Sequence, residues 1–353
     1  MEPLTALLQQ IKPIDETYQK ICQQHWDAVA KPLGGLGHLE TLLCQIGSIQ
    51  RTEQINLAKK AVVVLCADNG VVAEGISQCG QEVTATIARL AAQGKASVNA
   101  MAEAAGADVI AVDLGVAADL QDETNLLDYK IAYGTHNFVK ERAMSRAQAE
   151  QAILSGVDLV RQLKEQGYQI LATGEGGIGN TTTTAAVACA LLQLPPAQLA
   201  GRGAGLSQAG LQHKIAIIEQ ALALHQPKAD DVLDVLSAVG GFDIAGMVGL
   251  FLGGALYGMP IVMDGVISAV AALCAVRLSP VCKDYLLPSH LSSEPAAAVV
   301  LQVLELTPII HGAFHLGEGT GAVALFPLLD LALAVYRQNT TFESIQMEAY
   351  QPL

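Results

Sequence analysis

Short apolar runs rich in Val and Ile recur along the chain, and each is followed by a polar or glycine-containing turn and then by a helical pattern. The clearest are 61–67, before the turn at 68–70, and 109–112, before the turn at 113–115. Because these runs are apolar throughout rather than alternating, they predict parallel strands that helices cover on both faces. Further runs of the same kind are 168–172, 260–263 and 307–314.

In such a sheet the ligand lies beyond the carboxyl ends of the strands, so function is expected in the turns. The turn at 174–184 opens an Ala-rich helix, which places backbone N–H groups and a helix dipole to hold an anion. A dinucleotide site needs an acidic residue for the ribose, yet no Asp or Glu lies between Thr181 and Ile218. A Walker loop needs a lysine where Asn180 stands. The remaining functional interpretation of this turn is a monophosphate-binding site. The alternative is a purely structural glycine-rich turn with a threonine cap.

Two turns hold a glutamate between two glycines: the first glutamate turn, 174–176, and the second glutamate turn, 317–319. In the second turn Glu318 precedes an apolar helix. The helix N-terminus favours the anion of such a glutamate, whereas an apolar pocket favours its acid form, and the balance can produce a base that works near neutral pH. The alternative is a first-turn glutamate that only complements the helix dipole.

The composition of the chain excludes some classes of function. The chain has 353 residues, 51% of them hydrophobic and 15% charged, which predicts a large core in one domain with an appendage or in two domains. The formal net charge is −14, and Lys and Arg form no dense cluster, so nucleic acid is not an expected partner. An acidic protein that binds a small anion must do so locally, with helix N-termini and one or two cations.

Cysteine usage and the apolar segments predict a cytoplasmic protein. The seven cysteines are scattered and form no CxxC pair, as is typical of reduced thiols. No secretory signal is visible at the start. The uncharged segment 244–263 is long enough to span a membrane, but five glycines and Pro260 interrupt it, which favours a buried helix followed by a strand.

Two further groups are weaker candidates. The glycine-rich loop at 201–205 and Lys214 could serve an anion, although an exposed helical lysine is the commoner explanation. His311 and His315 are four residues apart, but they lie in a predicted strand without an evident third ligand, so no metal site is expected.

These motifs together resemble the nicotinate-nucleotide:dimethylbenzimidazole phosphoribosyltransferase family, from about residue 4 to residue 327. The segments that carry the resemblance are KPLGGLG at 31–37, ADNGV at 67–71, GEGGIGNTTT at 174–183, GGFDIAGM at 240–247, PSHLSSE at 288–294 and LGEGTGA at 316–322.

The resemblance implies that the enzyme exchanges the nicotinate of nicotinate mononucleotide for an aromatic base, which gives an α-riboside phosphate used in cobamide synthesis. The nicotinate ring leaves as a neutral species, so no general acid is required, whereas the incoming base must lose a proton. By the resemblance Glu318 is the general base, and Glu175 is a second carboxylate that stabilises positive charge at the ribose C1. No metal or cofactor is implied.

The resemblance also assigns the substrate contacts. Those for phosphate and ribose are Gly176, Gly177, Asn180, Thr181, Gly203 and Lys214; those for nicotinate are Ser292, Gly317 and Gly319; those for the aromatic base are Cys79, Ile87 and Leu316.

This chain departs from the family pattern in the base pocket. Cys79 and Ile87 stand where the family has a Ser and a Gln, Gly80 replaces a Pro, and Gly176 replaces a large apolar residue. These changes remove polar groups and are expected to open space, and an apolar pocket discriminates weakly among rings of similar size. We therefore expect tolerance of phenolic bases such as phenol or p-cresol.

The resemblance further implies an α/β fold with a Rossmann-like, mostly parallel sheet and helices on both faces. We expect a large catalytic domain at 40–330 and a small helical lobe from 1–39 and 331–353. A homodimer is expected, or a heterodimer with a homologous chain. The alternatives are a nicotinamide-dinucleotide-binding oxidoreductase, which the missing ribose-binding acid disfavours, and a non-catalytic paralogue, which the presence of both Glu175 and Glu318 disfavours.

Overall fold

A single six-stranded sheet runs through the centre of the molecule. The computed structural model describes residues 3–338 and 340–350. The strands are β1 Lys60–Ala67, β2 Ala107–Gly115, β3 Leu126–Asp128, β4 Ile170–Gly176, β5 Ile261–Met263 and β6 Leu286–Pro288. Their order is β3-β2-β1-β4-β5-β6, and all neighbours pair in parallel. This confirms the predicted α/β class with a doubly wound strand order.

Helices cover both faces of the sheet. They are α1 Leu4–Leu8, α2 Glu16–Ala28, α3 His38–Gln50, α4 Glu82–Ala92, α5 Ser97–Ala104, α6 Arg146–Glu165, α7 Asn180–Leu192, α8 Pro196–Leu199, α9 Gln208–His225, α10 Val232–Val239, α11 Phe242–Tyr257, α12 Val266–Leu278, α13 Pro295–Leu304 and α14 Thr320–Tyr336. Short 3₁₀ helices lie at Gly70–Glu74, Pro280–Tyr285 and Glu343–Ile345.

Strand β1 shows why an uninterrupted apolar run is required at the centre. Every residue of β1 is buried. Val63 and Leu65 face the core built with α6, α7, α11 and α12, whereas Val62 and Val64 face the core built with α3, α4, α5 and α14. Since side chains alternate across a strand, both sets must be apolar when helices cover both faces.

Most of the predicted strands are present, but the prediction of one strand is wrong. The runs at 61–67, 109–112 and 260–263 lie in β1, β2 and β5, and the run at 168–172 overlaps β4. The run at 307–314 forms no strand; only Ile310 makes an isolated bridge to His290. The local backbone explains why no strand forms here. Residues 311–313 are exposed, and Ala313 adopts a positive φ of 50°, which a strand does not allow.

The segment 244–263 is a buried helix followed by a strand, as predicted, because it comprises most of α11 and all of β5. None of the helices in the described part of the chain is both long enough and apolar enough to cross a membrane.

The two terminal segments contact each other beside α2 and α3. Val29 forms an antiparallel bridge with Thr341, and the Phe342 N–H donates to the Ala28 carbonyl. Leu4 of α1 lies instead in the large core that includes α11. The division into domains at 40–330 and 1–39 with 331–353 stays a prediction, and residues 1, 2, 339 and 351–353 of the predicted lobe lie outside the described residues.

Helices α6 and α11 pack at glycines. A Cβ on Gly249 would overlap the Ile153 carbonyl oxygen, and a Cβ on Gly156 would overlap the Gly246 carbonyl oxygen and reach 2.8 Å from the Leu250 nitrogen. These obstacles are backbone atoms, which cannot rotate away as a side chain can. The backbones of the two helices are therefore in contact where they cross.

We predict that Gly249→Ala lowers the free energy of unfolding by about 1–3 kcal/mol or more, because the added methyl forces the two helices apart. Urea unfolding measures this. Gly210→Ala in α9 is the control, since the nearest neighbours of its Cβ would be side-chain atoms, with Leu206 Cδ2 at 3.2 Å and Ser207 Oγ at 3.5 Å. The control should be neutral or stabilising, because alanine favours helix; equal stability of both variants would contradict the packing argument.

Candidate active site

A cleft of about 180 Å³ lies at the carboxyl ends of the strands, where the sequence predicts the ligand site. We call it the carboxyl-end cleft. Its lining comes from the end of β4, the turn after β5, the loop after β6, and segments of α4, α7, α11 and α12. The lining residues are Ile87, Gly174 to Ile178, Asn180, Thr181, Gly203, Ala204, Met247, Asp264 to Ser268, His290, Ser292, Glu294 and Phe314 to Glu318.

The first glutamate turn ends β4 and buries its carboxyl group. Glu175 is 8% exposed, and its Oε2 accepts a short hydrogen bond from the Asn180 amide. Burial, followed by repulsion from Asp243 and Asp264, raises the pKa of Glu175 well above its usual range. Burial also raises the pKa of Asp243 to about 6. Burial of Glu175 therefore favours its protonated form when no cation lies beside it.

The second glutamate turn packs directly on β4. A Cβ on Gly174 would lie 2.6 Å from the Glu318 carbonyl oxygen, and a Cβ on Gly317 would lie 2.6 Å from Glu175 Oε1. The Glu318 backbone N–H also donates to the Glu175 carboxyl. The two turns, which are more than 140 residues apart in sequence, are thus joined through Glu175.

Glu318 itself is held in an unusual conformation. Its φ is +61°, in the left-handed region that non-glycine residues rarely adopt. Its Oε2 accepts a hydrogen bond of 3.1 Å from the Val98 N–H in the first turn of α5. This bond fixes the direction of the carboxylate, which faces the carboxyl-end cleft. A strained, fixed carboxylate in a cleft is typical of a functional residue.

The predicted phosphate contacts lie together at one end of the cleft, backed by a buried cation. Gly176, Gly177, Asn180, Thr181 and Gly203 line the cleft.

Lys214 does not line the cleft, and it is not the exposed lysine of the alternative interpretation. It is fully buried, and its ammonium donates to Thr181 Oγ1 at 3.0 Å and to the Gly201 carbonyl at 3.1 Å. Burial lowers the pKa of Lys214 to about 8, which the negative charge of Glu294 partly opposes. Lys214 therefore acts on the cleft indirectly, through its hydrogen bond to the hydroxyl of Thr181, which lines the cleft.

The predicted base pocket is apolar but is not enlarged. Ile87 lines the cleft, whereas Cys79 does not and contacts Ser77 Oγ at 3.7 Å. A Cβ on Gly176 would lie 2.9 Å from Ile87 Cγ2 and 3.2 Å from Cys66 Sγ. The expectation that Gly176 opens space is wrong, because Ile87 already occupies the volume that a side chain at 176 would need.

The predicted nicotinate contacts are partly in the cleft. Ser292 and Gly317 line it. Leu316, which is predicted for the base pocket, also lines it and has 55% of its surface exposed. Gly319 does not line it. It begins α14 with a φ of +86°, and a Cβ there would lie 3.0 Å from the Thr173 carbonyl oxygen, so it serves the packing of α14 on β4.

Sequence reasoning missed two buried side chains of the cleft. Asp264 follows β5 and is 5% exposed, and His290 follows β6 and is also 5% exposed. Both positions follow short strands, and β6 has no recognisable pattern in the sequence. The available signals were the Asp-Gly turn at 264–265 and the polar loop at 289–294.

A larger groove of about 910 Å³ lies at the amino ends of the strands, lined by Arg51, Lys164, Tyr168 and Tyr285 among others. Lys12 and Lys164 both line it, and Lys164 is committed to structure, since its Nζ donates to the Tyr257 and Gly258 carbonyl oxygens. The buried Glu175 and Asp264 and the strained Glu318 line the smaller cleft, which is therefore the candidate active site. Across residues 3–338 and 340–350, no three His, Cys, Asp or Glu side chains are grouped to hold a metal ion.

Comparison with known proteins agrees with this geometry. A family model described as Phosphoribosyltransferase matches residues 11–347. The chain belongs to this phosphoribosyltransferase family. It is therefore an enzyme of the glycosyltransferase type, as the sequence predicts.

The individual relatives cover almost the whole chain. A nicotinate-nucleotide–dimethylbenzimidazole phosphoribosyltransferase of Clostridium acetobutylicum is 42% identical over 98% of this chain and 98% of its own length. One of the same name from Acetivibrio thermocellus is 44% identical over 98% and 99%. The crystal structure of CobT from Thermus thermophilus superposes with a TM-score of 0.89 at 37% identity, covering 95% of this chain and all of that one.

We predict that Lys214→Met weakens the binding of sulfate roughly 10-fold or more, since a charge-assisted anion contact is lost. Wild-type affinity should fall as the pH rises through about 8, because Lys214 loses its charge there, whereas the variant should lack this dependence. Sulfate is a suitable probe because its own charge does not change in this range. Calorimetric titration measures both effects.

The matched control is Lys228→Met, which removes an exposed lysine outside the cleft. If both variants bind sulfate equally well, the charge of Lys214 does not serve the cleft.

Proposed function

We propose that the enzyme transfers the phosphoribosyl group of nicotinate mononucleotide to an aromatic base, releasing nicotinate and forming an α-riboside phosphate for cobamide synthesis. The observation that carries the proposal is the meeting of the two glutamate turns in the carboxyl-end cleft, with the Lys214-backed anion site at its end. The names of the relatives support the choice of substrates.

The chemistry requires one base. In the mononucleotide the pyridine nitrogen is positively charged, and it becomes neutral when nicotinate leaves, so the departure needs no proton donor. The aromatic base must lose a proton when it attacks, and a carboxylate fixed beside the cleft can take that proton. Glu318 fits this role because its Oε2 is anchored by Val98, which leaves the carboxylate facing the cleft.

Glu175 has a different role in this proposal. Its raised pKa favours the protonated form when no cation lies beside it. The positively charged pyridinium of the mononucleotide would favour ionisation of Glu175, since an opposite charge nearby stabilises the anion. The resulting carboxylate would then stabilise positive charge that develops at the ribose C1.

The anion site would hold the phosphate with local groups only. Gly203 and Thr181 line the cleft, and Lys214 supplies one positive charge behind them. A single buried cation suits a monophosphate, because a triphosphate needs several cations or a metal to offset its charge.

We predict that Glu318→Gln lowers the rate of nicotinate release by about 10² to 10⁴, because glutamine cannot accept the proton. Mononucleotide affinity should stay within a few-fold of wild type, since the carboxylate acts on the other substrate. Glu305→Gln, at an exposed position, is the control. More than half of the wild-type rate in Glu318→Gln would show that another group is the base.

We also propose that the base pocket accepts phenolic bases. Ile87 presents methyl groups to the cleft, and the Cys66 thiol lies behind Gly176, so this wall offers an incoming ring nitrogen no strong hydrogen-bond donor. A pocket without such a donor does not strongly favour a nitrogen heterocycle over a phenol of similar size. The phenol would attack through oxygen after proton loss to Glu318.

Competition between equimolar dimethylbenzimidazole and p-cresol tests this preference. We predict detectable p-cresol riboside phosphate from the wild type, and less of it relative to the benzimidazole product from Ile87→Gln, which restores a polar group. Complete conversion of the benzimidazole without any p-cresol product would refute the proposal.

The homodimer, the heterodimer with a homologous chain and the cytoplasmic location stay predictions.

A further inference from the structure

The charges in the carboxyl-end cleft pose a problem for an anionic ligand. Four carboxyl groups line the cleft, from Glu175, Asp264, Glu294 and Glu318, and its described lining includes neither Lys nor Arg. Under the proposed function the mononucleotide carries two anionic groups, a phosphate and the ring carboxylate. Lys214 serves the phosphate end, so the ring carboxylate requires a separate partner that can carry positive charge.

His290 is the buried side chain of the lining that can become a cation. It is 5% exposed and lies in the loop after β6, whereas His315, the other histidine of the lining, is exposed. The imidazole also lies beside the Phe314 ring, with a centroid distance of 5.4 Å. A buried histidine beside an aromatic ring in a cleft is a suitable partner for an aromatic carboxylate.

Hydrogen bonding determines which nitrogen of His290 carries the proton. The Ser289 hydroxyl lies 2.6 Å from the Met263 carbonyl oxygen, which can only accept, so the hydroxyl proton is used there. Ser289 Oγ is also 3.1 Å from His290 Nδ1, and it must accept in that contact. Nδ1 therefore bears the hydrogen, and Nε2 has a free lone pair in the neutral ring.

The fold fixes the orientation of this ring. A Cβ on Gly321 of α14 would overlap Nδ1, and a Cβ on Gly265 would lie 3.3 Å from Nε2. Glycine at both positions lets the turn after β5 and the start of α14 approach the imidazole. Gly265 and His290 both line the cleft, and Nε2 is the ring nitrogen nearer to Gly265.

Asp264 is the acidic side chain that lies against the imidazole. Its Oδ1 is 3.8 Å from Nδ1 and accepts a hydrogen bond of 2.8 Å from the Ala322 N–H of α14. Burial lowers the pKa of His290, and the Asp264 carboxyl opposes that effect. The other groups against the ring, Ser289, Phe314 and the two glycines, are uncharged. A second anion at Nε2 would therefore favour the protonated ring.

We propose that His290 is the specificity-determining residue for the carboxylate of the departing nicotinate ring: Nε2 takes up one proton from solvent when the mononucleotide binds, and donates it in a hydrogen bond to that carboxylate. Asp264 and Ser289 position the ring from the Nδ1 side. The proposal rests on the proposed function and adds to it a residue that distinguishes a carboxylate from an uncharged amide on the pyridine ring.

The first test compares nicotinate mononucleotide with nicotinamide mononucleotide, which differs only in that substituent. His290→Asn keeps a polar donor that cannot be charged. We expect kcat/KM for nicotinate mononucleotide to fall roughly 10- to 100-fold, as for a lost charge-assisted hydrogen bond, while the value for the amide changes little. His311→Asn, at an exposed position outside the cleft, is the matched control.

The second test uses wild-type protein and does not depend on the folding of a variant. Calorimetric binding in buffers of different ionisation enthalpy measures the protons exchanged on binding. Near neutral pH nicotinate mononucleotide should take up close to one proton more than the amide, because any proton that Glu175 releases is the same for both ligands. The preference for the carboxylate should also fall as the pH rises, because the protonated ring is lost. A group that only maintains the fold would produce neither effect.

Several outcomes would overturn the inference while leaving the proposed function intact. These are equal losses for the two mononucleotides in His290→Asn, equal proton uptake for both in the wild type, or a lost preference in His315→Asn with an unchanged one in His290→Asn. A wild-type enzyme that releases no nicotinate from the mononucleotide would instead contradict the proposed function itself.

Discussion

Strand β4 and the second glutamate turn are in backbone contact, because Gly174 has no side chain to hold the turn away. That contact brings Glu318 to the carboxyl ends of the strands and lets its N–H donate to Glu175. Gly319 allows α14 to begin directly above Thr173, and the start of α14 in turn approaches His290 at Gly321. The positions of Glu318, Glu175 and His290 thus all depend on how closely one turn and one helix approach a single strand.

The electrostatics of the cleft follow from burial rather than from net charge. Three carboxyl groups, those of Glu175, Asp243 and Asp264, have raised pKa values because burial disfavours their ionised forms. Such a site favours a positively charged ring over an anionic one. Anionic groups then need individual partners, and the chain offers two that are buried: Lys214 behind Thr181 and His290 beside Asp264. This arrangement suits a substrate that carries a cationic centre between two anionic ends.

In the base pocket the same volume can be filled by a side chain at either of two positions. Gly176 and Ile87 lie against each other, so the missing side chain at one position is offset by the branched side chain at the other. The consequence for specificity is chemical rather than steric. The wall formed by Ile87 and Gly176 is apolar, so under the proposed function discrimination depends on ring size and on how easily the incoming base gives up its proton.

The amino-acid sequence by itself determined the strands β1, β2 and β5 and the buried helix α11, because apolar runs and glycine-containing turns are local signals. It also predicted that the two glutamate turns lie together, as they do. It could not reveal β3 and β6, which have three residues each, nor that 307–314 is irregular. Only the tertiary structure decided that Lys214 is buried, that Cys79 lies outside the cleft and that Asp264 meets His290. Lys214 meets Thr181, 33 positions away, and Asp264 lies against His290, 26 positions away, and such contacts are set by packing rather than by any local pattern.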